Sequence, residues 1–227
     1  CSTPQYIFVN NERSYLGVQK YILFLCNPNF YEKYFFMAHK SGFVNIIGHP
    51  NVGKSTLMNM LMGEKLSIIT PKAQTTRHRI LGIVNGEDYQ IVYSDTPGIV
   101  KPHYKLHESM MKFVNSALQD ADVFVYMTEA NETSFDEEVI AKIKASGKPL
   151  LFLINKVDTI TPSEVDAKIK FWHEKFSDAT IIPISAKLNY NTDKITAAVL
   201  KLLPEHDPYF PKDDELSDRP LRFFISE

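Results

Sequence analysis

The sequence predicts an α/β domain built on a mostly parallel six-stranded sheet with helices on both faces. Three observations predict it. Short apolar runs alternate with helix-length segments from residue 43 to residue 203, the rhythm of βαβ units. A glycine-containing loop, Gly48–Ser55, separates the first apolar run from the first helical pattern. The composition is that of an ordinary globular chain: 227 residues, 44% hydrophobic, net charge −2. That length allows one full domain with a sizeable core and an extra piece.

The elements follow in order. Phe43–Ile47 reads as a buried strand. Residues 54–62 read as a helix with Leu57, Leu61, Met58 and Met62 on one side. Residues 80–85 and 89–94 are two strands joined by a turn at Asn85-Gly86. No element is assigned between Gly98 and the next strand, Val123–Tyr126. Residues 134–146 form an amphipathic helix through Phe135, Val139, Ile140 and Ile143. Leu150–Ile154 is a strand, 163–175 a helix, Ile181–Ile184 a strand, and 192–203 a helix carrying Ile195, Val199 and Leu202.

Both ends differ from this pattern. Residues 1–36 hold both cysteines, Cys1 and Cys26, and are rich in Tyr and Phe, with neither alternation nor a helical stripe. Two readings stand: a native extension that packs on the domain or a partner, or translated upstream sequence with Met37-Ala38-His39-Lys40 as the start. The closeness of the domain pattern to Met37 favours the second. Pro204, Pro208, Pro211 and Pro220, with the acidic Asp213-Asp214-Glu215, mark 204–220 as a linker. Leu221–Glu227 reads as the opening of a new element. The domain itself spans 37–203. Two cysteines do not make a zinc site or a disulfide framework, and no apolar run reaches membrane-spanning length. Balanced charge argues against a nucleic-acid-binding surface spread over the whole chain, though not against a local basic site.

Gly48-His49-Pro50-Asn51-Val52-Gly53-Lys54-Ser55 fits G-x-x-x-x-G-K-[ST] in the strand–loop–helix setting the motif requires. The glycines let backbone N–H groups curl around a phosphate, and the helix N-terminus adds a field that favours anions. Lys54 supplies a point charge to the β- and γ-phosphates, and the Ser55 hydroxyl can ligate Mg²⁺. Val52 and Thr56 complete the phosphate-binding stretch. Asp95-Thr96-Pro97-Gly98 follows a strand: Asp95 can hold Mg²⁺ through a water, and the Gly98 N–H can approach a γ-phosphate. Thr76, preferred to Thr75 in the polar run Gln74–Arg79, can reach the same Mg²⁺ when a γ-phosphate is present. Arg77 and Arg79 are a solvated face, or else touch phosphate or RNA. Asn155-Lys156-Val157-Asp158 selects the base. Asp158 accepts from the N1–H and N2–H₂ edge of guanine, a donor pair adenine lacks, while Lys156 lays its stem on the base. Ser185-Ala186-Lys187 offers a backbone N–H, that of Ala186, to guanine O6. Lys54, Thr76, Asp95 and Gly98 are the catalytic candidates. The set describes a P-loop GTPase domain that binds GTP and GDP with Mg²⁺.

These motifs resemble the signature elements of translation-factor-related GTPases. Their wording is similar to the bacterial Era family in 50–57, 72–80, 95–98, 154–158 and 183–186, with Asp218–Phe224 resembling the entry to that family's RNA-binding KH domain. The resemblance implies a slow GTP-hydrolysing switch in small-subunit assembly. It would act on small-subunit ribosomal RNA and the 30S subunit through a KH domain of which only 221–227 are present. It further implies a cytoplasmic monomer, with peripheral contact at the inner membrane, and a potassium ion seated by Asn51. Ile99 stands where many small GTPases carry a water-orienting glutamine, so the water would be held by backbone and Mg²⁺ contacts. His49 stands where relatives often carry Arg and reads as an exposed loop histidine. Trp172, Phe176, Met58 and Met62 read as core. His103 and His107 show no metal spacing. The competing functions are a related tRNA-modification or tandem-domain ribosome GTPase, and a nucleotide-binding scaffold without turnover.

Overall fold

The computed structural model describes residues 39–63, 79–99 and 105–211. The chain divides into two units, Cys1–Met37 and Ala38–Glu227, and the described residues lie in the second. The leader 1–36, Thr75, Thr76, Arg77, His103, residues 212–220 of the linker and the segment 221–227 lie outside the described residues.

Strand β1 (Lys40–Gly48) leads into α1 (Lys54–Met62), then the hairpin β2 (Ile80–Asn85) and β3 (Tyr89–Asp95). Helix α2 (Lys105–Asp120), β4 (Val123–Glu129), α3 (Glu137–Ser146) and β5 (Leu150–Asn155) follow, then α4 (Pro162–Lys175), β6 (Thr180–Pro183) and α5 (Thr192–Leu202). The six strands run in the order β2-β3-β1-β4-β5-β6, with only the β2–β3 pair antiparallel. The order reverses around β1, the topological position where α/β sheets bind ligands at their carboxyl ends.

Alternation along the strands divides the core in two. Val44 and Ile46 of β1 pack with Leu57 and Met58 of α1 and Ile195 and Val199 of α5. Ile47, on the opposite face, packs with Val114 of α2, Ile140 of α3 and Trp172 of α4. Nearly all are fully buried, and each such aliphatic side chain contributes about 1.5–3 kcal/mol of transfer free energy. Trp172 lies 4.7 Å from the Phe152 ring and Phe176 5.0 Å from it, so this aromatic pair is core packing. Gly82 lies under α1: a Cβ there would sit 2.5 Å from Met58 Cε.

Three local differences from the sequence reading have physical causes. Helix α2 occupies residues left without an element; its buried face, Met110, Val114 and Ala117, is spaced for a helix, but polar and charged residues dilute it. Helix α3 starts at Glu137 rather than 134, because the Asp136 carboxylate accepts the Val139 N–H at 2.9 Å and so caps the helix there. Residues 204–211 do not leave the domain as a free linker. Ser41 Oγ donates to Asp207 O at 2.6 Å, and Gln90 exchanges two bonds of 2.9 Å with the Phe210 backbone. Ser41 and Gln90 are both fully buried and face each other across β1 and β3, so the strap is held at the sheet end opposite the Gly48 loop.

Candidate functional site

The Gly48–Ser55 loop joins the carboxyl end of β1 to the N-terminus of α1. Two glycines are demanded by packing. A Cβ on Gly48 would fall 2.2 Å from Met127 O of the neighbouring β4. Gly53 has φ +104 and caps α1, and its Cβ would fall 2.3 Å from Asn155 Nδ2. Asn51 sits exposed at the loop tip in the left-handed region, φ +62, a conformation asparagine tolerates. Val52 is buried, and Thr56 is half-buried in the first turns of α1.

Lys54 is 6% exposed, and its ammonium donates to Gly48 O at 3.0 Å and His49 O at 2.8 Å. Burial brings its pKa down to about 8, against the favourable fields of Asp95 and Glu132. Loss of water is not matched by an adjacent anion within the loop, so a phosphate brought to the ammonium would supply the missing charge.

Ser55 Oγ donates to Asp95 Oδ2 at 2.8 Å, and Asp95 is fully buried at the end of β3. A hydroxyl and a carboxylate converging there fit the hard-oxygen preference of Mg²⁺, which keeps several positions for water and phosphate. Among the described residues no cluster of three or more His, Cys, Asp or Glu could hold a metal, so this donor pair would rely on ligand oxygens as well. After Asp95, Thr96 Oγ1 donates to Ile46 O at 2.8 Å and Ile99 N to Gly48 O at 3.0 Å. Gly98 is thereby laid against Pro50, with its absent Cβ only 2.7 Å from Pro50 N. The sequence reading explains Gly98 by approach to a γ-phosphate; in the described conformation a side chain is excluded by Pro50. Ile99 is 5% exposed and packs in the α2–α4 core.

Asn155, 3% exposed, is a clamp. Its Nδ2 donates to Val52 O at 2.7 Å and its Oδ1 accepts the Ala186 N–H at 3.0 Å. The amide therefore ties the phosphate loop to the Ser185–Lys187 loop, and its polar atoms are used within the protein. The same bond changes the expectation for Ala186, whose N–H is engaged by Asn155 before any base arrives. Lys156 has φ +62, and its ammonium pairs with Glu129 Oε2 at 2.8 Å. Asp158 stands exposed in a short helical turn, Val157–Thr159, where it can accept hydrogen bonds. Ser185 is buried and its Oγ accepts the Leu188 N–H at 3.2 Å, while Lys187 is exposed.

His49 is not an exposed loop histidine. Its Nδ1 is bonded to Glu132 Oε1, and Glu132 also accepts from Thr128 Oγ1 at 2.9 Å. The hydrogen bond to Glu132 raises the His49 pKa, and its ion-pair field adds to this against partial burial. Burial pushes Glu132 up, but the bonds to His49 and Thr128 outweigh it and leave it below its ordinary value. Glu129 and Glu132 carry no motif. They reach the site because β4 pairs with β1, with Met127 opposite Gly48.

The sequence model of the family described as 50S ribosome-binding GTPase matches residues 43–156. GTPase Era of Clostridium perfringens is 43% identical over 190 residues, 83% of this chain and 64% of that protein. The chain therefore spans a little under two thirds of that relative. Maize GTPase ERA1, chloroplastic, is 45% identical over 195 residues, covering 83% of this chain and 46% of its own. A crystal structure of Era with MgGDPNP and nucleotides 1506–1542 of 16S ribosomal RNA superposes with a TM-score of 0.77 at 44% identity, over 82% of this chain and 64% of that one.

Proposed function

The chain belongs to the family of GTPases described as 50S ribosome-binding GTPase, with Era proteins among its relatives, and from that premise we propose that it binds GTP and GDP and hydrolyses GTP slowly as a molecular switch. The observation that carries the proposal is the convergence at the carboxyl end of the sheet of buried Lys54 on two loop carbonyls, the Ser55–Asp95 pair and the Asn155 clamp. Gly48, Asn51, Val52, Gly53, Lys54, Ser55 and Thr56 form the phosphate cradle in this reading. Asn155, Lys156, Asp158, Ser185, Ala186 and Lys187 form the base site, with Asn155 acting by holding two loops together. Ser55 and Asp95, with Thr76, would hold Mg²⁺, which neutralises phosphate charge when bound.

Hydrolysis needs an in-line water, and Ile99, turned into the core, does not orient it. Backbone groups near Gly98 and Thr76 are the remaining candidates. Potassium at Asn51 belongs to the same proposal and rests on the resemblance; equal turnover in K⁺ and Na⁺ removes it. The relative crystallised with 16S ribosomal RNA supports action on small-subunit ribosomal RNA and the 30S subunit. A monomer in the cytoplasm, with peripheral contact at the inner membrane, completes the reading. The maize relative is chloroplastic, so fractionation of source cells distinguishes cytoplasm from organelle.

The direct test is base exchange. Asp158→Asn should weaken GDP binding on the order of a hundredfold, two hydrogen bonds to the base being lost or reversed, and should favour xanthosine diphosphate. An unchanged guanine preference by competition titration overturns the base assignment.

A further inference from the structure

Arg79 lies next to the start of β2, three residues after Thr76, and the sequence leaves it as a solvated or ligand-touching cation. Its side chain is only 13% exposed, and all three of its nitrogens are hydrogen-bonded. Nε donates to Ser94 Oγ at 2.7 Å, and Nη2 to Asn45 Oδ1 at 3.2 Å and Asp120 Oδ1 at 3.1 Å; Nη1 meets Asp120 Oδ2. Asn45 Nδ2 donates to Asp120 Oδ1 at 2.9 Å and to Ala117 O. Asn45 and Ser94 are fully buried and are register partners across β1 and β3.

The placement carries the argument. Ser94 immediately precedes Asp95. Ile80, beside Arg79, is the register partner of Asp95. Ala117 and Asp120 are in the last turn of α2, the helix that follows Asp95–Gly98 in the chain. One guanidinium, set beside the start of β2, therefore joins β1, the strand that carries Asp95, and α2. Two buried polar side chains depend on it, and apolar residues would have packed between sheet and helix without that demand. A planar five-donor fork serves three partners at once, which a lysine does not.

We infer that Arg79 is a positioning residue that couples the strand carrying Asp95 to the last turn of helix α2, so that the nucleotide sensed at the phosphate loop is reported through α2. The inference rests on the GTPase reading. It replaces contact of Arg79 with phosphate or RNA.

The test uses the full chain as wild type, Arg79→Lys, Asp120→Asn and the double variant. Hydrogen exchange at α2 amides is followed with GDP and with GDPNP, beside kcat, KM and GDP affinity. In the wild type, α2 protection differs between the nucleotides; in each single variant that difference shrinks. The same variants lose about three- to thirtyfold in kcat, keep GDP affinity within about twofold, and lose no more when combined, the signature of one shared interaction. Asp120→Asn conserves shape, so it reads the coupling if Arg79→Lys folds poorly. Unchanged exchange difference and kcat overturn the inference. Parallel loss of kcat and GDP affinity overturns it too, as the mark of a role in folding alone. Exchange in the wild type that ignores the nucleotide overturns the coupling whatever the turnover. Absence of guanine-nucleotide binding by the wild type is a different failure, that of the GTPase reading.

Discussion

A histidine beside a phosphate loop would ordinarily be a solvated bystander, and local sequence supports nothing more for His49. The structure pairs it with Glu132 and uses its carbonyl to receive Lys54. The pair has a pH signature. His49 is raised, so its contribution is full below the ordinary histidine value of 6.5 and fades as pH rises through the folded value. Glu132 is lowered, so its contribution is full above the ordinary value of 4.5 and fades as pH falls through its folded value. The pair therefore stabilises most between 4.5 and 6.5. His49→Gln should remove about 1 kcal/mol in that window and progressively less above it, as read from urea midpoints across pH. A constant difference at every pH would show that packing, not charge, is what the histidine supplies. The partner was illegible in the sequence because Glu132 lies 83 residues away and only the β1–β4 pairing brings it near.

At the scale of elements, the loop between β1 and α1 is held from outside as much as from within. Gly53 combines a left-handed backbone with the close approach of Asn155. Gly53→Ala should therefore both strain the turn and push the clamp off Val52 O, weakening GDP binding by about a hundredfold, from one displaced buried bond and one strained residue. Isothermal titration measures it, and a loss under about threefold would show that the clamp yields easily. Helix α2 teaches a different lesson. Its apolar spacing was present in the sequence, but low hydrophobicity and its position after Gly98 hid it. Helix α4 begins at Pro162, one residue before the start read from the sequence: Pro162 opens it, and the Glu164 carboxylate accepts the Thr161 N–H at 2.7 Å.

Among the described residues, the candidate motifs lie at one end of the sheet and the strap 204–211 at the other. Residues 38–211 should fold alone and bind GDP within about twofold of the full chain, since both core clusters and every nucleotide motif lie inside that span. Ending the chain at 203 instead strips Ser41 of its partners and leaves Gln90 only its bond to Asn85 Oδ1. It should lower stability by about 3 kcal/mol, from roughly three hydrogen bonds lost at buried groups. Denaturant titration of the two fragments checks this, and equal midpoints would return 204–211 to a passive linker.

The sequence by itself determined the α/β class, the succession of strands and helices it could see along the chain, and the candidate nucleotide motifs. Those depend on local patterns: apolar period, glycine and lysine at fixed spacing, carboxylates at strand ends. Tertiary structure alone decided how those residues are used. It spent the Asn155 amide on two loops, turned Ile99 into the core, gave Lys156 to Glu129 and closed Arg79 over Asn45 and Ser94. The physical reason is that each of these contacts joins segments far apart in the chain, brought together by the order of the strands in the sheet, which is set by which apolar faces can be buried together.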